Sequence, residues 1–232
     1  MLEKIENHIH ILIPARGGSK RIPNKNIINL CEKPLIHYAI EESLKITKNV
    51  FVSTESEKIK AICKKYKVSI IDRPEELATD TSSTNSVVYH FLKNRDVKYF
   101  AVVQPTAPLL TAAFLKKGFE MISDVKYNSI ISVCEKKEFY WNDAGEPMNF
   151  CIGKKPRTQD VKAWYAENGA FYITSKEDFL KEHALVRGRV GFVEMPKMDS
   201  IDIDGYEDLE IARAFMKFRI NASGPKYERV EK

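Results

Sequence analysis

"ILIPARGGSKRIPNKNI", residues 11–27, joins an apolar run ending at Pro14 to twelve residues that hold two adjacent glycines, four cationic side chains and no carboxylate. Such a loop suits an anion with several negative oxygens, of which a nucleoside triphosphate is the commonest small one. A solvated turn after a strand is the plainer reading. The loop is neither GxxxxGK[ST] nor GxGxxG, so neither familiar phosphate motif applies. Arg16 can fork onto phosphate oxygens, Lys20 and Lys25 supply point charge, and Gly17 and Gly18 let backbone amides approach closely. Arg21 is read equally well as a solvated loop charge.

Working outward from this loop, β-branched apolar segments alternate with stretches of helical period. Strands are expected at 8–14, 50–54, 68–72, 98–104 and 129–135, with helices at 34–46, about 56–66, about 84–94 and near 111–123. The alternation predicts an α/β protein, a mainly parallel sheet with helices on both faces, and ligands in such sheets bind beyond the carboxyl ends of the strands. The basic loop follows the first strand and belongs at that edge. After residue 136 the rhythm breaks: residues 137–165 carry glycines, prolines and Phe139, Tyr140, Trp141, Phe150 and Trp164, the pattern of an inserted arm with a partner surface. Strands at 169–174 and 190–196 and a helix within 206–218 complete one domain over 1–220, followed by a flexible tail over 221–232.

The totals narrow the function. At 232 residues, 44% hydrophobic and 30% charged, the chain is of the folded, soluble class. Its net charge of +5 fits an anionic ligand, but acids and bases are interleaved, so no nucleic-acid face is expected. Cys31, Cys63, Cys134 and Cys151 form no CxxC pair and read as thiols of a reducing compartment. No signal peptide or membrane-length apolar run is evident, and a cytoplasmic location is expected.

Three further stretches could carry chemistry. In "DSIDIDG" (199–205), an extended chain would put Asp202 and Asp204 on one face, a pair that a Mg²⁺ shared with substrate phosphates would hold together; alternatively Asp204 or Gly205 starts the helix that follows. In "QPTAPLL" (104–110), two prolines fix a loop that either presents Gln104 and Thr106 to a ligand or is only a rigid turn. In "RPEELATDTSST" (73–84), Arg73 and Asp80 flank a turn, while Thr81 to Thr84 could cap a helix.

Taken together, "IPARGGSKRIPNKNI", "RPEELATD", "QPTAPL", "PRTQD" with "NGAFYI", and "DSIDID" occur in the order found in the CMP-acylneuraminate (CMP-sialic acid) synthetases, which the chain resembles over about residues 9–216. The related CMP-KDO synthetases carry a first loop closer to "ARxxSxRxPGK", which places this chain on the acylneuraminate side, legionaminic-type nonulosonates included. The resemblance implies a three-layer nucleotidyltransferase fold with a dimerisation arm, hence a homodimer, using CTP, Mg²⁺ and a nonulosonic acid. It implies that Arg16, Gly17, Gly18, Ser19, Lys20, Lys25 and Asn26 hold the nucleotide, with Arg73 and Asp80 near the nucleoside. Gln104, Thr106, Arg157 and Gln159 would serve the sugar, Arg157 from across the dimer, and Asp202 and Asp204 the metal; Arg16, Lys25, Asp202 and Asp204 would be the catalytic set. The chain departs from the family at Leu110, where many members have arginine, at Ala107 for serine, and at Arg21 for glycine. Transfer of CMP to another acid sugar, pseudaminic or KDO-like, or a non-catalytic nucleotide binder of the same fold, are the alternatives.

Overall fold

A computed structural model of the protein describes residues 8–93, 95–124 and 126–222. The tail expected over 221–232 falls outside them, apart from two residues that close the last helix. In chain order the elements are β1 (Ile9–Pro14), β2 (Asn29–Leu30), β3 (Lys33–Pro34), α1 (Leu35–Leu44), β4 (Val50–Thr54), α2 (Glu57–Cys63), β5 (Ser69–Asp72), α3 (Thr84–Leu92) and β6 (Tyr99–Val103). Then follow α4 (Ala112–Ser123), β7 (Ser129–Lys136), β8 (Trp164–Ser175), α5 (Lys176–Glu182), β9 (Val190–Glu194) and α6 (Tyr206–Ala222).

Among the described residues, seven strands form one sheet in the order β5-β4-β1-β6-β8-β7-β9. All pairs are parallel except those made by β8, which runs against both β6 and β7. The central strands are apolar on both faces because both are covered. Ile9, Ile11 and Ile13 of β1, with Ala101 and Val103 of β6, pack under α1, α2 and α4. Leu12, Phe100 and Val102, one residue out of step, pack under α3 and α5. The period-two alternation of a strand thus separates two helical layers. Helix α4 sits so close that a Cβ on Gly118 would lie 2.6 Å from Ile173 Cδ1.

A third, smaller cluster decides where the basic loop lies. Ile22 of that loop, Leu30 and Leu35, Leu109, Ile203, and Leu209, Ala212 and Met216 of α6 are buried together. The loop is therefore clamped by its own apolar residue to the last helix and to residues 201–204.

Two expectations need correction. The strand expected at 169–174 is the inner half of the twelve-residue β8, whose outer half starts at Trp164 and pairs with the end of β7, Trp164 opposite Lys136. Trp164 and Tyr165 thus belong to the sheet, and the segment between the two strands is 137–163. Aromatic residues suit a strand as well as a loop, which hid the boundary. Helix α5 was not expected; its start is capped by the Ser175 hydroxyl, which accepts from the Asp178 amide.

The tight seating of α4 sets a stability test. Phe119 is fully buried, so Phe119→Ala should lower unfolding free energy by about 3–5 kcal/mol through lost burial and a cavity. A denaturant titration that shows a loss under about 1 kcal/mol would mean that the site collapses and that α4 is loosely held.

Candidate active site

Strand β1 has β4 on one side and β6 on the other, and the chain leaves β1 and β6 at the same edge. In an α/β sheet the crevice opens where the chain passes to both sides of its first strand. A cleft of about 400 Å³ lies there, lined by Arg16, Ser19, Lys20, Arg21, Lys25 and Asn26 from the basic loop, by Arg73, Asp80, Ser82 and Thr84, by Gln104 and Thr106, and by Asp204. Most of the residues singled out in the sequence thus meet in one place, although they are up to 188 positions apart.

The loop is stiff. Ala15 extends the ladder by donating to the Ser53 carbonyl at 2.9 Å. Asn26 is buried and holds the Arg16 carbonyl at 2.9 Å. The Gly17 amide donates to Glu55 Oε1 at 2.6 Å, so it faces the protein and not the cleft. Glycine is required here because a Cβ would lie 2.8 Å from Ser56 Cβ, whereas at Gly18 nothing lies within 4 Å. Of the two glycines, then, the first serves packing and the second leaves open space.

Four cations are arranged on two carboxylates. Asp80 bridges Lys20 at 2.9 Å and Arg16 at 2.7 Å. The hydrogen bonds from Lys20 and then Arg16 hold its carboxyl below the usual range. Asp204 meets Arg21 at 3.0 Å and Lys25 at 3.4 Å. Desolvation works against its charge, but Arg21 and Lys25 outweigh that and keep its carboxyl low. Lys25 also donates to the Ile203 carbonyl at 2.7 Å, so it is both a cleft cation and a strut. Beneath them Arg73 is buried, its guanidinium donating to the Ser53 carbonyl at 2.7 Å and hydroxyl at 3.2 Å.

Residues 201–204 are irregular rather than a strand, and Ile203 is fully buried between the two aspartates, its amide donating to the Thr106 carbonyl at 2.8 Å. Asp204 lines the main cleft, while Asp202 lines a neighbouring cavity of about 470 Å³ with Lys136, Gly169, Tyr172 and Lys197. Thr106 joins the two, lining the first while its hydroxyl favours the charged form of Asp202 in the second. Desolvation pushes the Asp202 carboxyl above the usual range although the residue as a whole is exposed; the Thr106 hydroxyl opposes this and the nearby Asp204 charge adds to it. No ion pair reaches Asp202 among the described residues. The Asp204 carboxylate does not cap α6 but meets Arg21 and Lys25; Gly205 directly precedes the helix, its carbonyl accepting from the Leu209 amide at 3.2 Å, and Asp208 in the first turn reaches back to accept from the Asp204 amide at 2.9 Å and the Gly205 amide at 2.8 Å.

Arg157 and Gln159 do not reach this cleft; they lie on the arm, where Arg157 pairs with Asp160 at 2.7 Å. Glu55 and Asp208 were missed, since each sits outside any motif and acts on backbone. Ser82 and Thr84, in the stretch expected to cap a helix, line the cleft beside the start of α3, whose cap is Ser83.

Comparison with known proteins follows the same outline. A family profile described as Cytidylyltransferase matches residues 10–226. The N-acylneuraminate cytidylyltransferase of Streptococcus agalactiae serotype III (strain NEM316) is 32% identical over 208 residues, 85% of this chain and 50% of that protein. The pseudaminic acid cytidylyltransferase of Campylobacter jejuni is 32% identical over 221 residues, 89% of this chain and 95% of that one. The chain spans about half the length of the N-acylneuraminate relatives that it matches. The solved structure of CMP:2-keto-3-deoxy-manno-octonic acid synthetase complexed with CTP superposes with a TM-score of 0.69 at 16% identity, covering 91% of this chain and 99% of that one, a likeness of fold.

The raised carboxyl of Asp202 has a thermodynamic sign. An acid whose native pKa lies above its unfolded value of 3.8 takes up protons on folding, so stability falls as pH rises from there through the native pKa, and the penalty is complete above it. Asp202→Asn removes the charge and should melt higher than wild type at neutral pH, with the gap closing near pH 4 on acidification. A lower melting temperature at neutral pH would show that the carboxylate is held by its surroundings instead.

Proposed function

This chain belongs to the cytidylyltransferase family, and we propose that its cleft binds CTP and passes CMP to the anomeric hydroxyl of a nonulosonic acid, with pyrophosphate leaving. The observation that carries this reading is the convergence of Arg16, Lys20, Arg21 and Lys25, over a buried Arg73, on one cleft at the carboxyl edge of the sheet. Such chemistry depends on positioning and charge neutralisation more than on covalent help. Arg16 and Lys20 exchange Asp80 for phosphate oxygens, and Lys25, fixed by the Ile203 carbonyl, places its charge at one point. Gln104 and Thr106, where the cleft meets the second cavity, serve the acceptor sugar. Arg73 and Asp80 face the nucleoside. A nonulosonic acceptor is favoured over a KDO-like one by the relatives at 32% identity, which are named for N-acylneuraminate and pseudaminic acid.

We propose that Asp202 and Asp204 serve a Mg²⁺ ion together with substrate phosphates, since among the described residues no group of three or more His, Cys, Asp or Glu side chains could hold a metal alone. Asp202 and Asp204 offer hard carboxylate oxygens, and Asp202 has no cation in ion-pair contact among the described residues. Mg²⁺ takes one or two carboxylates and completes its shell with phosphates and water. When bound it supplies charge neutralisation to the phosphates. Catalysis falls to Arg16, Lys25, Asp202 and Asp204. No histidine or cysteine lines the cleft, and none is assigned as a base.

The arm serves a homodimer. Its aromatic residues partly satisfy one another, Phe139 and Trp141 each packing edge-on to Phe150 at 5.0 Å. Trp141, Met148 and Ile152 nevertheless stay exposed, as do Trp164, Tyr165 and Phe192 beside them, an apolar area of the kind that marks an interface. Arg157 and Gln159 act on the partner's cleft. No described helix is long and apolar enough to cross a membrane, and the chain works in the cytoplasm.

Pyrophosphate release is the direct assay. With CTP and a panel of N-acetylneuraminic, legionaminic, pseudaminic and KDO acids, release should require CTP and one of the nine-carbon acids; release with every nucleotide, or none with any acid, overturns the reading. Arg16→Ala should cut turnover by about 10²-fold or more while melting normally. Light scattering at micromolar protein should show a dimer, and a monomer there would remove the role given to the arm.

A further inference from the structure

Arg16 enters the cleft from a peptide unit that is held at both ends. The Arg16 carbonyl accepts from Asn26 at 2.9 Å, and the amide of the same unit, on Gly17, donates to Glu55 Oε1 at 2.6 Å. A trans peptide is planar, so these two bonds fix its rotation about the chain and with it the direction in which the Arg16 side chain departs. Asn26 lies within the loop motif. Glu55, one residue past β4, lies in none.

The setting of Glu55 is costly in a way that a surface glutamate avoids. Its second oxygen, Oε2, is buried and has no hydrogen-bond partner among the described residues. Burying such an oxygen unpaired is unfavourable, and a free side chain would turn it out to water. What keeps it in is the Gly17 amide together with the charge of the buried Arg73 guanidinium, which feels Glu55. The steric fit agrees: a Cβ on Gly17 would come within 3.2 Å of Glu55 Oε1 as well as 2.8 Å of Ser56 Cβ, so the loop backbone lies directly on this carboxylate.

Resting on the CTP reading of the cleft, we infer that Glu55 is a positioning residue for the nucleotide, seating the Arg16–Gly17 peptide against the end of β4 and thereby aiming Arg16 at the triphosphate. Glu55 touches no phosphate in this arrangement. It acts only through the loop.

The test is CTP affinity by calorimetry for Glu55→Ala and Glu55→Gln, each made in the wild-type and in the Arg16→Ala background, beside the KM for the sugar acid. A hydrogen bond to a charged group is strong enough that Glu55→Ala should weaken CTP binding about tenfold or more. Glu55→Gln, which keeps an acceptor for the Gly17 amide, should weaken it less. In the Arg16→Ala background neither should weaken it further, and for the Glu55 variants in the wild-type background the KM for the sugar acid should stay unchanged. An unchanged CTP affinity in Glu55→Ala overturns the inference. Equal losses with and without Arg16 also overturn it, because general damage would spare neither background. Should Glu55→Ala fail to fold, Glu55→Gln decides by the same comparison. Wild-type protein that binds no CTP would overturn the proposed function and this role together, whereas wild-type binding without an Arg16-dependent effect overturns the role of Glu55 alone.

Discussion

Ile203 is the residue on which the cleft depends. Its side chain is fully buried against the basic loop and α6, its amide is tied to the Thr106 carbonyl at 2.8 Å, and its carbonyl holds Lys25 at 2.7 Å. One apolar residue therefore joins three segments that are remote in sequence. Because it is flanked by Asp202 and Asp204, its burial also fixes where two carboxylates emerge. The hydrophobic effect places the charges here; the charges do not place themselves, since exposed ion pairs contribute little on their own.

Around that anchor the cleft keeps its cations in balance. Four positive side chains of one loop rest on two aspartates from different parts of the chain, Asp80 and Asp204. These pairs are largely solvent-reached, so they are weak and exchangeable, which suits a site proposed to hand its cations to an incoming anion. The charges beneath, the buried Arg73 and the half-buried Glu55, behave differently. Arg73 and Glu55 are fixed by backbone groups, and they form the floor on which the exchangeable pairs sit.

The sheet supplies the rest of the geometry. Parallel strands place β1, β4 and β6 with their carboxyl ends together, and the loops that follow them carry the cleft. The single reversed strand, β8, runs from the arm into the core and brings Gly169 beside Asp202. A left-handed φ of 68° at Gly169 keeps that approach open, with Asp202 Oδ2 3.4 Å from where a Cβ would be. The arm leads into this strand at Trp164, and Ala166 to Gly169 just inside it line the second cavity.

By itself, the sequence determined the elements whose reasons are local. The continuous apolar runs "IHILIP" and "YFAVV", the helical spacing of Ile36, Ala39 and Ile40, and the clustering of charge in "ARGGSKRIPNKN" each follow from neighbouring residues, and the parallel core with its basic loop could be read from them. The ordered motifs also named nearly all the residues that line the cleft. Tertiary structure alone decided what each does there. Glycine twice in a row looked like two equivalent openings, yet only Gly17 is packed against β4. Asp204 suited either a metal pair or a helix start, and in the fold its carboxylate meets Arg21 and Lys25 while Gly205 directly precedes α6. Trp164 looked like arm and is strand. Glu55 had no signal, because an isolated glutamate after a strand is ordinary in sequence and gains meaning only when an amide 38 positions away lies on its carboxylate. The physical reason is common to all four: periodicity and composition record which face of an element is buried, whereas a hydrogen bond between distant segments depends on where two chains cross.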